Sequence, residues 1–371
     1  MLDPEGRALA DELKALFRRG AEATLSDPDF DAHARRVLDY AIRHVPAYAG
    51  YCRARGVDGG DVAGWREIPA VPTAAFKELR LLAAGATAEA VFRTSGTTRG
   101  AERRGRHEVA DLDLYRASLR PMFRSALLPD GASLRFLSLM PPAGALPDSS
   151  LAFMIGDVMV AFGGAGSGVF ADGDGLDRPG LEAALRRAVA DGAPVLLLGT
   201  SAAFIHWLDD LAAEGTRLAL PDGSRLMDTG GFKGRGRSVA AADLRAAYRE
   251  RLGIPGHACI NEYGMTEMLS QLYDTTLRES GTPAAGARPK AGPPWLRSVA
   301  VDPETLAPLD AGRPGLLRHI DLANLASIPA IQTEDLGRVD ERGRVLLEGR
   351  AAGAPPRGCS LAMDLLLGGA G

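Results

Sequence analysis

Two short segments carry residue types able to hold a nucleotide. The first, Thr94-Ser95-Gly96-Thr97-Thr98-Arg99-Gly100, follows the strand-like Ala90-Val91-Phe92 and gathers hydroxyls and glycines in one loop. Such a loop can wrap phosphate oxygens, because glycine lets the backbone approach closely and take positive φ. An ordinary polar turn has the same composition. The second, Asn261-Glu262-Tyr263-Gly264-Met265-Thr266-Glu267, places an aromatic ring, a hydroxyl and a carboxylate between Tyr263 and Glu267. A ring suits a base, a hydroxyl a phosphate, and a lone carboxylate suits Mg²⁺, which takes one or two protein carboxylates beside phosphate oxygens. A strand-end turn with a packed tyrosine would read alike. Two weaker pieces are Gly230-Gly231-Phe232-Lys233-Gly234, whose backbone could line a flat adenine ring, and Asp335, which could accept from ribose hydroxyls with Arg350 nearby.

The elements that must position these residues follow from periodicity. Ala8 to Phe17 and Ala32 to Val45 space their apolar residues as helices do, interrupted by Pro46, Pro69 and Pro72. A helix is predicted near Leu112 to Leu127. Leu134 to Leu139 and Val195 to Leu198 read as strands, Leu181 to Val189 and Ser201 to Leu211 as helices, and His257 to Ile260 as a strand. Fully apolar strands alternating with helices imply an α/β fold, a sheet with helices on both faces. The glycine-rich stretch Gly163 to Gly175 reads as a mobile loop. Beyond about residue 285, Pro and Gly punctuate short strands at Trp295 to Val301, Gly315 to Ile320, Gly337 to Val339 and Arg344 to Glu348. The last two flank the turn Asp340-Glu341-Arg342-Gly343, as a hairpin would.

Composition narrows the function classes. The chain has 371 residues, 46% of them hydrophobic, and a formal charge of −4, so it can bury a sizeable core and shows no basic face for nucleic acid. Cys52, Cys259 and Cys359 stand far apart, without metal or disulfide spacing. No apolar run reaches membrane-spanning length and the N-terminus has no apolar signal core, which predicts a cytoplasmic protein.

Taken in order, the hydroxyl loop, Gly-Gly segment, Tyr-Gly-x-Thr-Glu, late aspartate and Gly-Arg resemble the adenylate-forming superfamily from about Phe92 to Arg350. Gly230-Gly231-Phe232-Lys233, the extension Thr266 to Tyr273, and the terminal Arg357-Gly358-Cys359-Ser360 look most like its acyl-protein synthetase (LuxE-type) branch and the related phenylacetate-CoA ligases. The resemblance implies the adenylate-forming N-terminal-domain fold. It divides the chain into a helical region (1–90), an α/β ATP- and acid-binding region (91–285), a small β-rich subdomain (286–350) and a tail (351–371). It also implies roles. Thr94 to Thr98 would hold the β- and γ-phosphates. Gly230, Gly231 and Phe232 would line adenine, Asn261 would bond its edge, and Tyr263 would pack on its face, with Glu262, Gly264 and Met265 completing the nucleotide segment. Thr266 would touch the α-phosphate, Glu267 would hold Mg²⁺, and Asp335 and Arg350 would bind ribose.

Two departures stand out. The family's loop lysine is absent, with Arg103 and Arg104 the cations that follow. Only 21 residues follow Arg350, where full-length relatives continue into a rotating lid with a catalytic lysine; a fold lacking that lid is therefore expected. Lys233 is the candidate cation near the carboxylate or α-phosphate, or else a solvated loop lysine. The implied reaction is in-line attack of a carboxylate on the α-phosphorus of ATP, for which fixed donors and Mg²⁺ neutralise two meeting anions. An apolar pocket for the acid could draw on Leu137, Leu139, Met140, Phe153, Met154, Met159 and Phe162, residues that core packing would also explain. In LuxE-type enzymes a cysteine near the C-terminus carries the acyl group before passing it to a reductase; here Cys359 matches, and Arg357 would favour its thiolate. Other acceptors are a carrier protein, CoA, or a free amine or alcohol. A non-catalytic ATP-binding scaffold is the alternative of a different class.

Overall fold

The computed structural model describes residues 1–58, 62–94, 104–230, 239–279, 288–351 and 357–368. They form two compact units, each assembled from separated stretches of chain. One comprises Phe123–Gly264 and Leu272–Lys290, the other Met1–Met122, Met265–Gln271 and Ala291–Gly371.

The first unit alternates strand and helix. Its parallel strands lie in the order Gly168–Val169, Arg135–Ser138, Val195–Thr200, Arg225–Thr229 and Cys259–Tyr263, followed by the antiparallel Leu272–Asp274. The helices Ser150–Phe162, Arg178–Asp191, Ser201–Ala213 and Ala241–Leu252 fall between successive strands in sequence. Val195, Leu197, Leu185, Phe204, Trp207 and Tyr248 interlock in a core that no solvent reaches. Arg178–Asp191 ends at Gly192, whose φ of 62° is the left-handed cap that glycine takes without a Cβ penalty. Arg135–Ser138 has its sequence successor on one side and the later strands on the other. The winding reverses there, and in open parallel sheets ligands sit beyond the carboxyl ends at such a reversal.

One sequence expectation changes here. The stretch Gly163 to Gly175, read as a loop, contains a short strand pairing in parallel with Leu137 and Ser138. Of the apolar residues that could line an acid pocket or pack the core, Leu137 and Leu139 are core residues, Met154 is buried, and Met140, Phe153, Met159 and Phe162 are half-buried.

The second unit begins with the helices Pro4–Phe17, Asp27–His44 and Pro46–Ala54. Asp3 and Ser26 cap the first two, and each of the three has a proline in its first turn, where no N–H is needed. The antiparallel strands Leu296–Val301, Gly315–Asp321, Ala330–Val339 and Val345–Arg350 form a meander, with Val71–Pro72 parallel to the third. Val339 pairs with Val345 across the expected hairpin. A separate pair, Ala90–Arg93 and Arg106–Val109, brackets the hydroxyl loop. The helix Arg357–Gly368 packs on Pro46–Ala54 and Val71–Pro72. Among the described residues, no helix is long and apolar enough to cross a membrane.

Candidate functional site

In the α/β unit, polar residues collect at the carboxyl edge of the parallel strands. Thr200 caps the helix Ser201–Ala213, accepting from the Ala203 N–H at 3.1 Å. The Ser201 hydroxyl donates to the Thr229 carbonyl at 3.3 Å, and the Thr229 hydroxyl donates to the Glu262 carboxylate. Glu262 is buried, and burial pushes its carboxyl up to about 7 although Thr229 and Lys290 both pull it down. Gly230 ends this edge at φ 96°, a left-handed conformation open to glycine.

Asn261 is held from every side. Its N–H donates to Asp274 Oδ2 at 3.1 Å and its carbonyl accepts from Lys290 Nζ at 2.8 Å. Its side-chain amide donates to Asp228 Oδ1 at 2.7 Å, so the donor expected at the adenine edge is turned toward a neighbouring strand. Lys290 also bonds Asp274 Oδ1 at 2.7 Å, and Tyr248 donates to Asp228 Oδ2 at 2.8 Å. Tyr263, half-buried, closes the strand opposite Leu272.

The second unit takes the rest of the motif, Met265, Thr266 and Glu267, while Gly264 ends the stretch in the first. The Thr266 hydroxyl reaches the Arg93 carbonyl at 3.5 Å, which sets it beside Thr94, the first residue of the hydroxyl loop. Thr94 is tied down in turn: its Oγ1 accepts from the Gly105 N–H at 2.9 Å and its N–H donates to the Gly105 carbonyl at 3.0 Å. His107 Nδ1 lies 2.8 Å from the Thr266 carbonyl. A carbonyl can only accept, and burial drops the ring's pKa to about 4, so His107 is neutral with its proton on Nδ1. Glu267 is buried, and burial pushes its carboxyl up to about 7; the charges of Lys77 and Arg350 oppose that rise and Asp335 adds to it. Asp335 and Arg350 are register partners, and the Arg350 guanidinium donates to Glu334 at 2.9 Å.

Ser95, Gly96, Thr97, Thr98, Gly231, Phe232 and Lys233 lie outside the described residues. Cys359 stands in the first turn of Arg357–Gly368 with its sulfur buried. Burial, aided by Glu334, pushes the thiol up to about 11, opposite to the expected effect of Arg357, and Arg318 only partly offsets this. Sequence reading passed over Lys77, His107, Asp228, Asp274 and Lys290. Each stands alone among unrelated neighbours in the chain, and only folding brings them to the motif residues.

The acyl-protein synthetase family, LuxE, matches residues 30–367. A 49-residue stretch is 45% identical to the long-chain-fatty-acid–luciferin-component ligase of Aliivibrio fischeri, covering 13% of each chain. Among solved structures, a 2-hydroxyisobutyryl-CoA ligase in complex with 2-HIB-AMP and CoA aligns over 87% of this chain and 69% of its own, with TM-score 0.59 and 16% identity. ATP-bound MatB from Rhodopseudomonas palustris aligns over 70% of this chain and 47% of its own, with TM-score 0.49 and 18% identity. The chain thus spans about half the length of MatB and matches a small part of the luciferin-component ligase. The first of these structures shares the α/β fold of adenylate-forming enzymes described above. With the match running over most of its length, the chain belongs to the LuxE acyl-protein synthetase family.

Proposed function

We propose that the chain activates a carboxylic acid with ATP and then transfers the acyl group to a protein thiol. A carboxylate oxygen attacks the α-phosphorus, the bond to the β-phosphate bridging oxygen breaks, and pyrophosphate leaves with that electron pair. The product acyl-adenylate is a mixed anhydride. Attack by a thiolate at its acyl carbon forms a thioester and releases AMP.

The observation that carries this reading is the junction of the two motifs. Thr266 and Arg93, 173 residues apart, share a hydrogen bond that sets the Thr-Glu pair against the start of the hydroxyl loop. Glu267 suits Mg²⁺: burial raises its carboxyl to about 7 against the pull of Lys77 and Arg350, so a cation bound there would stabilise the carboxylate, and one such oxygen donor plus phosphate oxygens is a common Mg²⁺ set. Bound there, the ion would neutralise phosphate charge as the acid approaches. Thr266 would orient the α-phosphate, and Asp335 and Arg350 would receive ribose. In the other unit, Tyr263 would cover adenine, on a strand that Asp228, Asp274 and Lys290 hold rigid. Cys359 is the candidate thiol. For it to receive the acyl group, Arg357–Gly368 must give up the packing that buries the sulfur.

The test is acid-dependent exchange of labelled pyrophosphate into ATP across a panel of aliphatic and aromatic acids. Exchange with at least one acid is expected, and none with any acid would favour a non-catalytic ATP-binding scaffold. AMP release that depends on added CoA would make CoA the acceptor.

A further inference from the structure

The backbone around Thr266 and Glu267 is held by buried side chains rather than by a sheet ladder. The Thr266 carbonyl accepts from His107, and the Glu267 carbonyl accepts from Asn324 Nδ2 at 2.8 Å. Past Met268, whose N–H returns to the Met265 carbonyl, two N–H groups converge on one carboxylate: Leu269 N–H reaches Asp321 Oδ2 at 3.0 Å, shared with Asn324 Oδ1 at 3.2 Å, and Ser270 N–H reaches the same Asp321 oxygen at 2.9 Å. Asp321 Oδ1 accepts from the Ser270 hydroxyl at 2.7 Å and from the Ala323 N–H at 3.0 Å. Asp321 is wholly buried, and each of its oxygens takes two donors.

Donor bookkeeping fixes the direction of a longer chain. The Trp295 indole N–H can only donate, and it meets Ser118 Oγ at 2.8 Å. Ser118 Oγ lies 2.8 Å from Ser270 Oγ, whose proton already goes to Asp321, so Ser118 must donate to Ser270. Trp295, Ser118, Ser270 and Asp321 thus form one directed relay ending on the buried Asp321 carboxyl group. Such chains polarise one another and reward a single geometry.

We infer that Asp321 is a positioning residue for the proposed reaction: through Ser270 and Leu269 it fixes the turn that presents Thr266 and Glu267. This rests on the adenylating function proposed above. Asparagine cannot substitute, because its NH₂ would face N–H and O–H donors where only an acceptor fits.

The test measures binding of ATP to the full chain by calorimetry, with Mg²⁺ and with EDTA, for wild type, Asp321→Asn and Ser270→Ala. Outer groups that orient a metal ligand typically carry about 10–100-fold in metal affinity, so Asp321→Asn should weaken Mg²⁺·ATP by at least about tenfold. Ser270→Ala, losing one hydroxyl donor, should weaken it by about fivefold. Metal-free ATP, which keeps only the Thr266 contact to this turn, should weaken less than Mg²⁺·ATP in both variants, so the ratio of the two affinities falls. Variants that melt earlier but keep the wild-type ratio of Mg²⁺·ATP to ATP affinity would make Asp321 merely structural and overturn the inference. If Asp321→Asn does not fold, Ser270→Ala decides by the same ratio. If wild type binds no ATP in either condition, the adenylating function fails instead. Amide hydrogen exchange at Leu269 and Ser270 then decides the positioning role: faster exchange confined to that turn upholds it, and unchanged protection overturns it.

Discussion

Replacing Glu267 by Gln should make the ligand-free chain more stable while it disables adenylation. Burial holds the Glu267 carboxyl at about 7 in the folded chain against an ordinary value of 4.5, even with Lys77 and Arg350 pulling it down. As pH rises from 4.5, the unfolded chain releases this proton first and the folded chain keeps it until about 7. The stability that this group contributes is therefore whole below 4.5, falls through the window up to about 7, and stays lost above it. The gap between the two values corresponds to about 3 kcal/mol at 1.36 kcal/mol per pH unit. Glutamine carries no charge to bury, so the variant should gain about that amount over wild type by about pH 8 and none below 4.5. Urea unfolding of both proteins across this range measures it. The difference isolates residue 267, because Glu262 also titrates near 7 and is common to both. Pyrophosphate exchange by the same variant should fall by about 10²–10³. A variant less stable than wild type at alkaline pH, or a stability difference that does not change with pH, would refute the reasoning.

Two further outcomes follow from burial. Lys290→Met leaves the Asn261 carbonyl without its donor and Asp274 with only Arg288, 3.7 Å away, as countercharge, and should cost about 3 kcal/mol in urea unfolding; a loss under about 1 kcal/mol would mean the network is not what holds that strand. Cys359, buried and with its thiol raised to about 11, should alkylate with iodoacetamide at neutral pH at least about a hundredfold more slowly than a free cysteine. Cys359→Ser should abolish hydroxylamine-labile acylation of the chain, and acyl mass persisting on that variant would move the acceptor elsewhere.

The fold was legible where one local signal sufficed. Leu112–Leu127 has the bounds its spacing predicts, and Val195–Thr200 and Ser201–Ala213 begin at Val195 and Ser201, where the apolar run and the helical reading place them. Ser150–Phe162 was missed as a helix, because its residues are apolar almost all round and show no polar face to set a period. Ala241–Leu252 was missed for the opposite reason: scattered arginines and acids leave only Leu244, Tyr248 and Leu252 buried. Pro46 looked like a breaker after Val45, yet it opens Pro46–Ala54 at the first turn, where its missing N–H costs nothing.

The candidate site divides along the same physical line. Groups that would touch a nucleotide sit close together in sequence, because one loop or strand end must offer them to one ligand; hence Thr94 to Gly100 and Asn261 to Glu267 stand out. Groups that aim them need no such proximity. Asp321 and Asn324 lie over fifty residues from the turn they hold, His107 is 159 residues from Thr266, and Lys290 is 29 from Asn261. In the chain, each is a single polar letter with no partner at any recognisable spacing. What makes it informative is burial, since a charged or polar group enters a core only with its hydrogen bonds answered. Asp321 meets that condition through four donors, three of them from the two residues Leu269 and Ser270, and so its energetic requirement becomes a geometric one on the turn before it. Shifting the turn at Leu269 and Ser270 would leave the buried Asp321 short of three donors, and that coupling is why a residue invisible in the sequence can govern where the conspicuous Thr266 and Glu267, just before that turn, are presented.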